Sequence, residues 1–266
     1  MPTRLAAWLD SYRRDLKQSL HAAADDGFRL LHASSLRPEL DPRELGASAR
    51  RHLARYLRDL GLGLDAIAAE FAGPGLTDLE HADQRLDHLR RTLELCADLK
   101  VAGAATRICG LTDDKSRPLA LELLKAVADL ADRFGLPVTI HCGPDDPAEA
   151  AQAIRQLGSP DVRLGLDSGF LEVDVERTAA EPGRVGPVYL RQPELVGGVY
   201  LRDVRRRRGQ IEEVPYGHGD VDFATLLAAL AAAGYGGALV LRRDSAGAGV
   251  DALRQGREYI LSLLSK

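Results

Sequence analysis

Short apolar runs alternate with longer amphipathic stretches along the whole chain. The runs predict strands at 4–9, 28–33, 63–69, 105–109, 137–142, 162–166, 196–201 and 238–241. Between them, apolar residues recur at helical spacing, most clearly over 45–59, 82–100, 119–134 and 223–233. Glycines and prolines punctuate the returns to strand, at Gly27, Gly61, Gly103, Gly135 with Pro137, Gly158 with Pro160, Gly197 and Gly234. Eight strands, each followed by a helical segment, fit a single (β/α)8 TIM barrel over residues 1–266. A doubly wound open sheet would carry a glycine-rich turn after its first strand, and none is present. The unit at 171–194 is the least regular and reads as a long loop with broken helix.

Composition adds exclusions. A net charge of -4 gives no general attraction to nucleic acid or anionic membranes. No apolar run reaches the ~20 residues needed to span a bilayer, and the N-terminal apolar segment is too short for a signal peptide. Three cysteines without C-x-x-C spacing read as reduced thiols, so a cytoplasmic setting is expected.

In a TIM barrel, chemistry sits where the strands end. The second strand ends in RLLHASS with His32, and the fifth in VTIHCGPDD with His141 and Cys142. The sixth ends in LGLDSGF with Asp167, and the seventh in VYLRDVRRRR with Tyr200, Arg202 and Asp203. The eighth ends in LVLRRD with Arg242, and the loop before the next-to-last helix adds His218. Strand parity turns Cys142 away from a pocket that His141 faces, and sets Arg242 and Arg243 on opposite sides. Several of these residues have plain structural roles open to them. His32 and His141 are candidates for satisfied histidines inside the barrel. Asp203 and Asp220 are candidates for loop and helix caps. Cys96 reads as core, and the basic run 205–208 as a solvated loop.

Three stretches carry a family resemblance. They are LPVTIHCGPDDPAEAAQAIRQLGSPDVRLGLDSGFL, VGGVYLRDV, and the closing GHGDVDFATLLAALAAAGYGGALVLRRD. In order and spacing they resemble the sugar-phosphate isomerase/epimerase family of xylose-isomerase-like TIM barrels. The resemblance implies one divalent metal, held by a glutamate on the fifth strand, an aspartate on the sixth, a histidine near the seventh and a glutamate on the eighth. By position these fall on His141, Asp167, Tyr200 and Arg242, so one ligand of four is retained. A glutamate common on the second strand falls on His32, while Arg202 and Asp203 keep the charges of the seventh-strand motif.

Arginine does not ligate metals, and a phenol ionises only near pH 10. A fixed cation 4–5 Å from a divalent ion repels it by about 7 kcal/mol at an effective dielectric of ~20. The expectation is therefore no metal cofactor, with Arg242 paired to Asp167 in the metal's place. The mouth then offers His32, His141, Tyr200, Arg202, Asp203, His218 and Arg242 to a small anionic carbohydrate-like ligand. A non-catalytic carbohydrate-binding relative is one functional expectation. The alternative is an active sugar isomerase or epimerase. It would use a relocated zinc or manganese on His141, Asp167 and His218, or metal-free histidine and arginine chemistry with His141, Asp167 and Arg242 as catalytic groups. Nucleic-acid processing, which a superfamily relative performs with several metals, is not expected.

Overall fold

The computed structural model describes residues 4–171, 192–207, 210–245, 249 and 251–265. Eight parallel strands close into a barrel: β1 (Arg4–Trp8), β2 (Leu30–Ser34), β3 (Gly63–Ala69), β4 (Gly103–Arg107), β5 (Val138–His141), β6 (Val162–Asp167), β7 (Val196–Leu201) and β10 (Ala238–Leu241). Seven α-helices are complete among the described residues: α1 (Leu16–Asp25), α2 (Ala47–Asp59), α3 (Ala82–Leu99), α4 (Arg117–Phe134), α5 (Pro147–Leu157), α6 (Phe223–Ala232) and α7 (Ala252–Leu264). The fold is a (β/α)8 TIM barrel. Most of the irregular unit at 171–194 lies outside the described residues. No helix among them is long and apolar enough to cross a membrane.

Local chemistry starts and stops the elements. Asp15, Asp146 and Asp222 each accept a backbone N–H from the first turn of the helix they precede. Gly135 and Gly158 end α4 and α5 in the left-handed conformation. The fourth strand runs two residues earlier than the sequence pattern predicts. Gly103 admits the Pro137 carbonyl, which would lie 2.6 Å from an added Cβ, so pairing begins there. It ends because the 74–76 loop takes over: Leu76 N–H bonds the Arg107 carbonyl, and Cys109 N–H bonds that of Pro74. Arg107, not Cys109, is therefore the strand's last residue.

The basic run after β7 is also not a loop. Val204–Arg207 (β8) and Gln210–Glu213 (β9) form an antiparallel hairpin, with Arg205 opposite Glu212. Opposite charges facing across a ladder favour that pairing.

The apolar core has two parts. Between barrel and helices lies the larger cluster, including Phe28, Leu31, Ile67, Leu93, Ile140 and Phe223. Inside the barrel are mostly small residues: Ala6, Ala68, Ala105, Ala238 and Val240. Glycines at 165 and 198 continue that lining in register. The space they leave holds rings. Tyr200 stacks on His141 with centroids 4.1 Å apart and planes 9° from parallel. Trp8 at 5.7 Å and His32 at 5.9 Å flank the same tyrosine ring. This column fills the barrel and supports the groups above it.

Candidate functional site at the C-terminal mouth

A network of arginines and carboxylates covers the ring column where the strands end. Glu70, immediately after β3, is its centre, with a side chain only 4% exposed. One carboxylate oxygen accepts from Arg107 Nη2 at 2.7 Å, and the other from Arg242 Nη1. Arg242 extends from the end of β10 and lies over two rings, 4.6 Å from the Trp8 centroid and 5.1 Å from that of Tyr200. Its Nε donates to both oxygens of Asp244, at 3.0 and 2.8 Å. Arg202, after β7, grips Asp167 with Nε at 3.0 Å and Nη2 at 2.9 Å. Its remaining nitrogen is loosely held, 3.5 Å from Asp244 and 4.0 Å from Glu213. Glu213, delivered by the β8–β9 hairpin, fixes the segment after β10. It accepts Arg243 Nε at 2.7 Å and the backbone N–H groups of Asp244 and Ser245.

These contacts set the charge states. Burial alone would raise the Glu70 carboxyl, but Arg242 and Arg107 outweigh it and hold the pKa at about 2. Burial works against the Arg242 charge, yet Glu70 and Asp244 push its pKa above the ordinary arginine value. Arg202 is raised too, because Asp167 outweighs its burial. Burial lowers His141 to about 4, against the pull of Glu70 and Asp167, so its imidazole is neutral at pH 7. Burial, reinforced by Glu70, raises the Tyr200 phenol well above its ordinary value. Three buried polar atoms in the mouth, His141 Nδ1, Tyr200 Oη and Arg107 Nε, have no hydrogen-bond partner among the described residues. Glu70, Arg107, His141, Asp167 and Phe170 border a cavity of about 20 Å³, room for roughly one water molecule.

The structure brings His141, Asp167, Tyr200, Arg202 and Arg242 to one end of the barrel, but pairs them differently from the sequence expectation. Arg242 bonds Glu70 and Asp244, and Asp167 goes to Arg202. The reason is reach: Arg202 leaves the strand adjacent to Asp167, whereas the Arg242 guanidinium leans across Tyr200 to the far wall. His32 is not in this mouth. Its Nε2 lies 3.1 Å from Asp65, near the beginning of β3, in the barrel's opposite half. Asp203 is a loop tie. One oxygen accepts the N–H groups of Gly217, His218 and Gly219 at 2.8, 3.2 and 2.9 Å. His218 is exposed, and its backbone serves that tie. Among the described residues no three His, Cys, Asp or Glu side chains gather as a metal-holding group, and His141, Asp167 and His218 do not converge. Cys142 is buried beside the Ile140 carbonyl, and burial raises its thiol pKa, so no thiolate nucleophile forms there.

Five participants escaped the sequence reading: Trp8, Glu70, Arg107, Glu213 and Asp244. Glu70 had a readable signal, as a lone acid directly after a wholly apolar strand end, IAAE. The hairpin that carries Glu213 was signalled by VRRRRGQIEEV, in which a basic run turns back onto an acidic one.

Gly165 lets His141 occupy the barrel. An added Cβ there would lie 2.4 Å from the imidazole Cε1, and Tyr200 stacks on that ring. Gly165→Ala is expected to cost about 1–3 kcal/mol in denaturant unfolding. Unchanged stability would show that the ring has room to move.

Comparison with known proteins supports this architecture. Residues 20–263 match the family described as Xylose isomerase-like TIM barrel. An L-ribulose 3-epimerase of Mesorhizobium japonicum is 28% identical over 239 residues, covering 85% of this chain and 74% of the epimerase. A xylose isomerase domain protein from Planctomyces limnophilus superposes with a TM-score of 0.77 at 16% identity, covering 98% of this chain and 96% of that one. The solved structure of an L-ribulose 3-epimerase gives 0.74 at 20% identity, covering 99% and 95%.

Proposed function

Since the chain belongs to the xylose isomerase-like TIM barrel family, whose relatives include sugar epimerases, we propose that it binds a small sugar or sugar acid at the C-terminal mouth without metal-dependent proton transfer. The observation that carries this reading is Arg242. Its guanidinium is clamped between Glu70 and Asp244 over the Tyr200 ring, on the strand where the family resemblance implies a metal-binding glutamate. The donor set does not suit a divalent ion. Asp167 is engaged by Arg202, the Tyr200 phenol resists ionisation, and the Arg242 guanidinium lies over that phenol ring.

Arg202 is the ligand-binding arginine of this proposal. Arg242 is committed to two carboxylates, whereas Arg202 Nη1 has only long contacts to Asp244 and Glu213. An incoming carboxylate replaces those contacts at little cost. The exposed edge of Asp244 supplies acceptors for sugar hydroxyls.

The test combines metal analysis, ligand binding and turnover. The purified protein is expected to hold less than stoichiometric metal, and manganese or zinc should leave its melting temperature unchanged. Gluconate is expected to stabilise it, by about 2.7 kcal/mol at 100 times the dissociation constant. That response should vanish in Arg202→Gln. L-ribulose is expected to remain unepimerised with or without manganese. Metal-dependent turnover, or one tightly held equivalent of metal, defeats the proposal.

One observation favours a second reading. His141 is a neutral imidazole with an unpartnered Nδ1 in the mouth, the form a general base requires. Metal-free epimerisation lost in His141→Gln, with gluconate binding retained, would establish it.

A further inference from the structure

The end of the barrel opposite the charge network holds a cavity of about 450 Å³, formed where the strands begin. Arg4, His32, Asp65, Thr139, Arg163 and Tyr235 are its chief polar walls. Part of this wall is internally satisfied. The Asp65 carboxylate takes Arg4 on one oxygen and His32 Nε2 on the other. That contact occupies Nε2 and leaves Nδ1 as the free ring nitrogen. His32 is 4% exposed, and its Nδ1 has no hydrogen-bond partner among the described residues.

The rest of the wall is unsatisfied. Among the described residues Arg163 Nε is buried without a partner, and no ion pair or hydrogen bond holds the guanidinium. The contrast with Arg202 and Arg242, each bound by carboxylates, is plain. Thr139 stands beside Arg163 in strand register. Gly197 on the next strand leaves the space these two use: an added Cβ would lie 2.2 Å from Thr139 Oγ1 and 2.9 Å from Arg163 Cβ. Tyr235 borders the opening, its hydroxyl bonded to the Ala238 carbonyl.

An unpaired guanidinium bordering a polar cavity is free to engage an oxyanion, which matches its planar fork. We propose that this cavity is a second ligand site, taking the phosphate or carboxylate group of a small polar molecule on Arg163. The Thr139 hydroxyl donates to the same group, and the free His32 Nδ1 pairs with a hydroxyl of the ligand. Glu194 also borders the cavity and offers a further hydroxyl acceptor. The site shares no charged residue with the mouth, so it stands or falls independently of the function proposed there.

Inorganic phosphate and malonate, titrated separately by calorimetry in a buffer free of both, distinguish the two oxyanion chemistries. At least one is expected to bind saturably to the parent protein. Arg163→Gln should weaken that binding by about tenfold or more, and Thr139→Val by less. In an Arg202→Gln background, where the mouth has lost its own carboxylate site, the Arg163-dependent binding should persist within about twofold. Without either probe, Arg163→Gln should melt at or above the parent temperature, because it removes an unpaired cation; a purely structural arginine would give a lower one. The proposal is overturned if neither probe saturates the parent, if Arg163→Gln binds as the parent does, or if no binding remains in the Arg202→Gln background.

Discussion

Replacing Glu70 by Ala is expected to cost the fold about 3–5 kcal/mol, a large share of what holds an ordinary domain together. The carboxylate is buried and bonds two arginines, Arg107 and Arg242. Its removal strips Arg107 of its carboxylate and leaves Arg242, pressed against the Trp8 and Tyr200 rings, with Asp244 alone. The loss comes from these stranded charges more than from the missing bonds, so removing Arg242 as well should return part of it. The double variant Glu70→Ala, Arg242→Met is therefore expected to be more stable than the sum of the singles by about 1–3 kcal/mol. Urea unfolding of the four proteins measures this. A single-variant loss below about 1 kcal/mol, or strict additivity, would show that the network contributes little to stability.

Acid should destabilise the protein in two successive steps. His141 is held neutral by burial, with its pKa lowered to about 4. Between its ordinary value near 6.5 and pH 4 the unfolded chain takes up a proton that the folded chain refuses. Stability from this group is thus complete above pH 6.5 and lost as pH falls toward 4. Glu70 acts lower. Its pKa is held at about 2, so its contribution is complete above about 4.5 and lost as pH falls through 2. Each step is worth on the order of 3 kcal/mol by linkage. Asp10, raised by burial, works in the opposite direction above its ordinary value of 3.8 and offsets part of the upper step in the parent and in His141→Phe alike. Chemical denaturation from pH 7 to pH 3 should show the upper step in the parent. His141→Phe keeps a ring against Tyr200 and should lack it. Equal slopes between pH 6.5 and 4 in the two proteins would remove His141 as the cause.

The barrel was legible because periodicity reports burial, and a parallel strand buried on both faces leaves a continuous apolar run. The strand ends were also legible enough to place His141, Asp167, Tyr200, Arg202 and Arg242 together. Their partners were not. Asp167 and Arg202 lie on adjacent strands, so their pairing follows from register, which sequence alone does not supply. Arg242 reaches across the barrel to Glu70, a contact between residues 172 positions apart. His32 was misplaced for a related reason: its position along β2 is as expected, but the imidazole turns toward Asp65 and the beginning of the strands. The hairpin was missed because a run of arginines reads as solvated until the acidic strand opposite it is taken into account.

The clamp between Glu70 and Arg242 also shapes what this sequence can become. Arg242→Glu alone would set a second carboxylate beside Glu70 with only Arg107 to balance them. Glu70→Ala alone would strand the arginines. Each single replacement passes through a less stable protein. The pair acts as a ratchet: the mouth is free to vary its loops and its ligand, while Glu70 and Arg242 resist replacement one at a time.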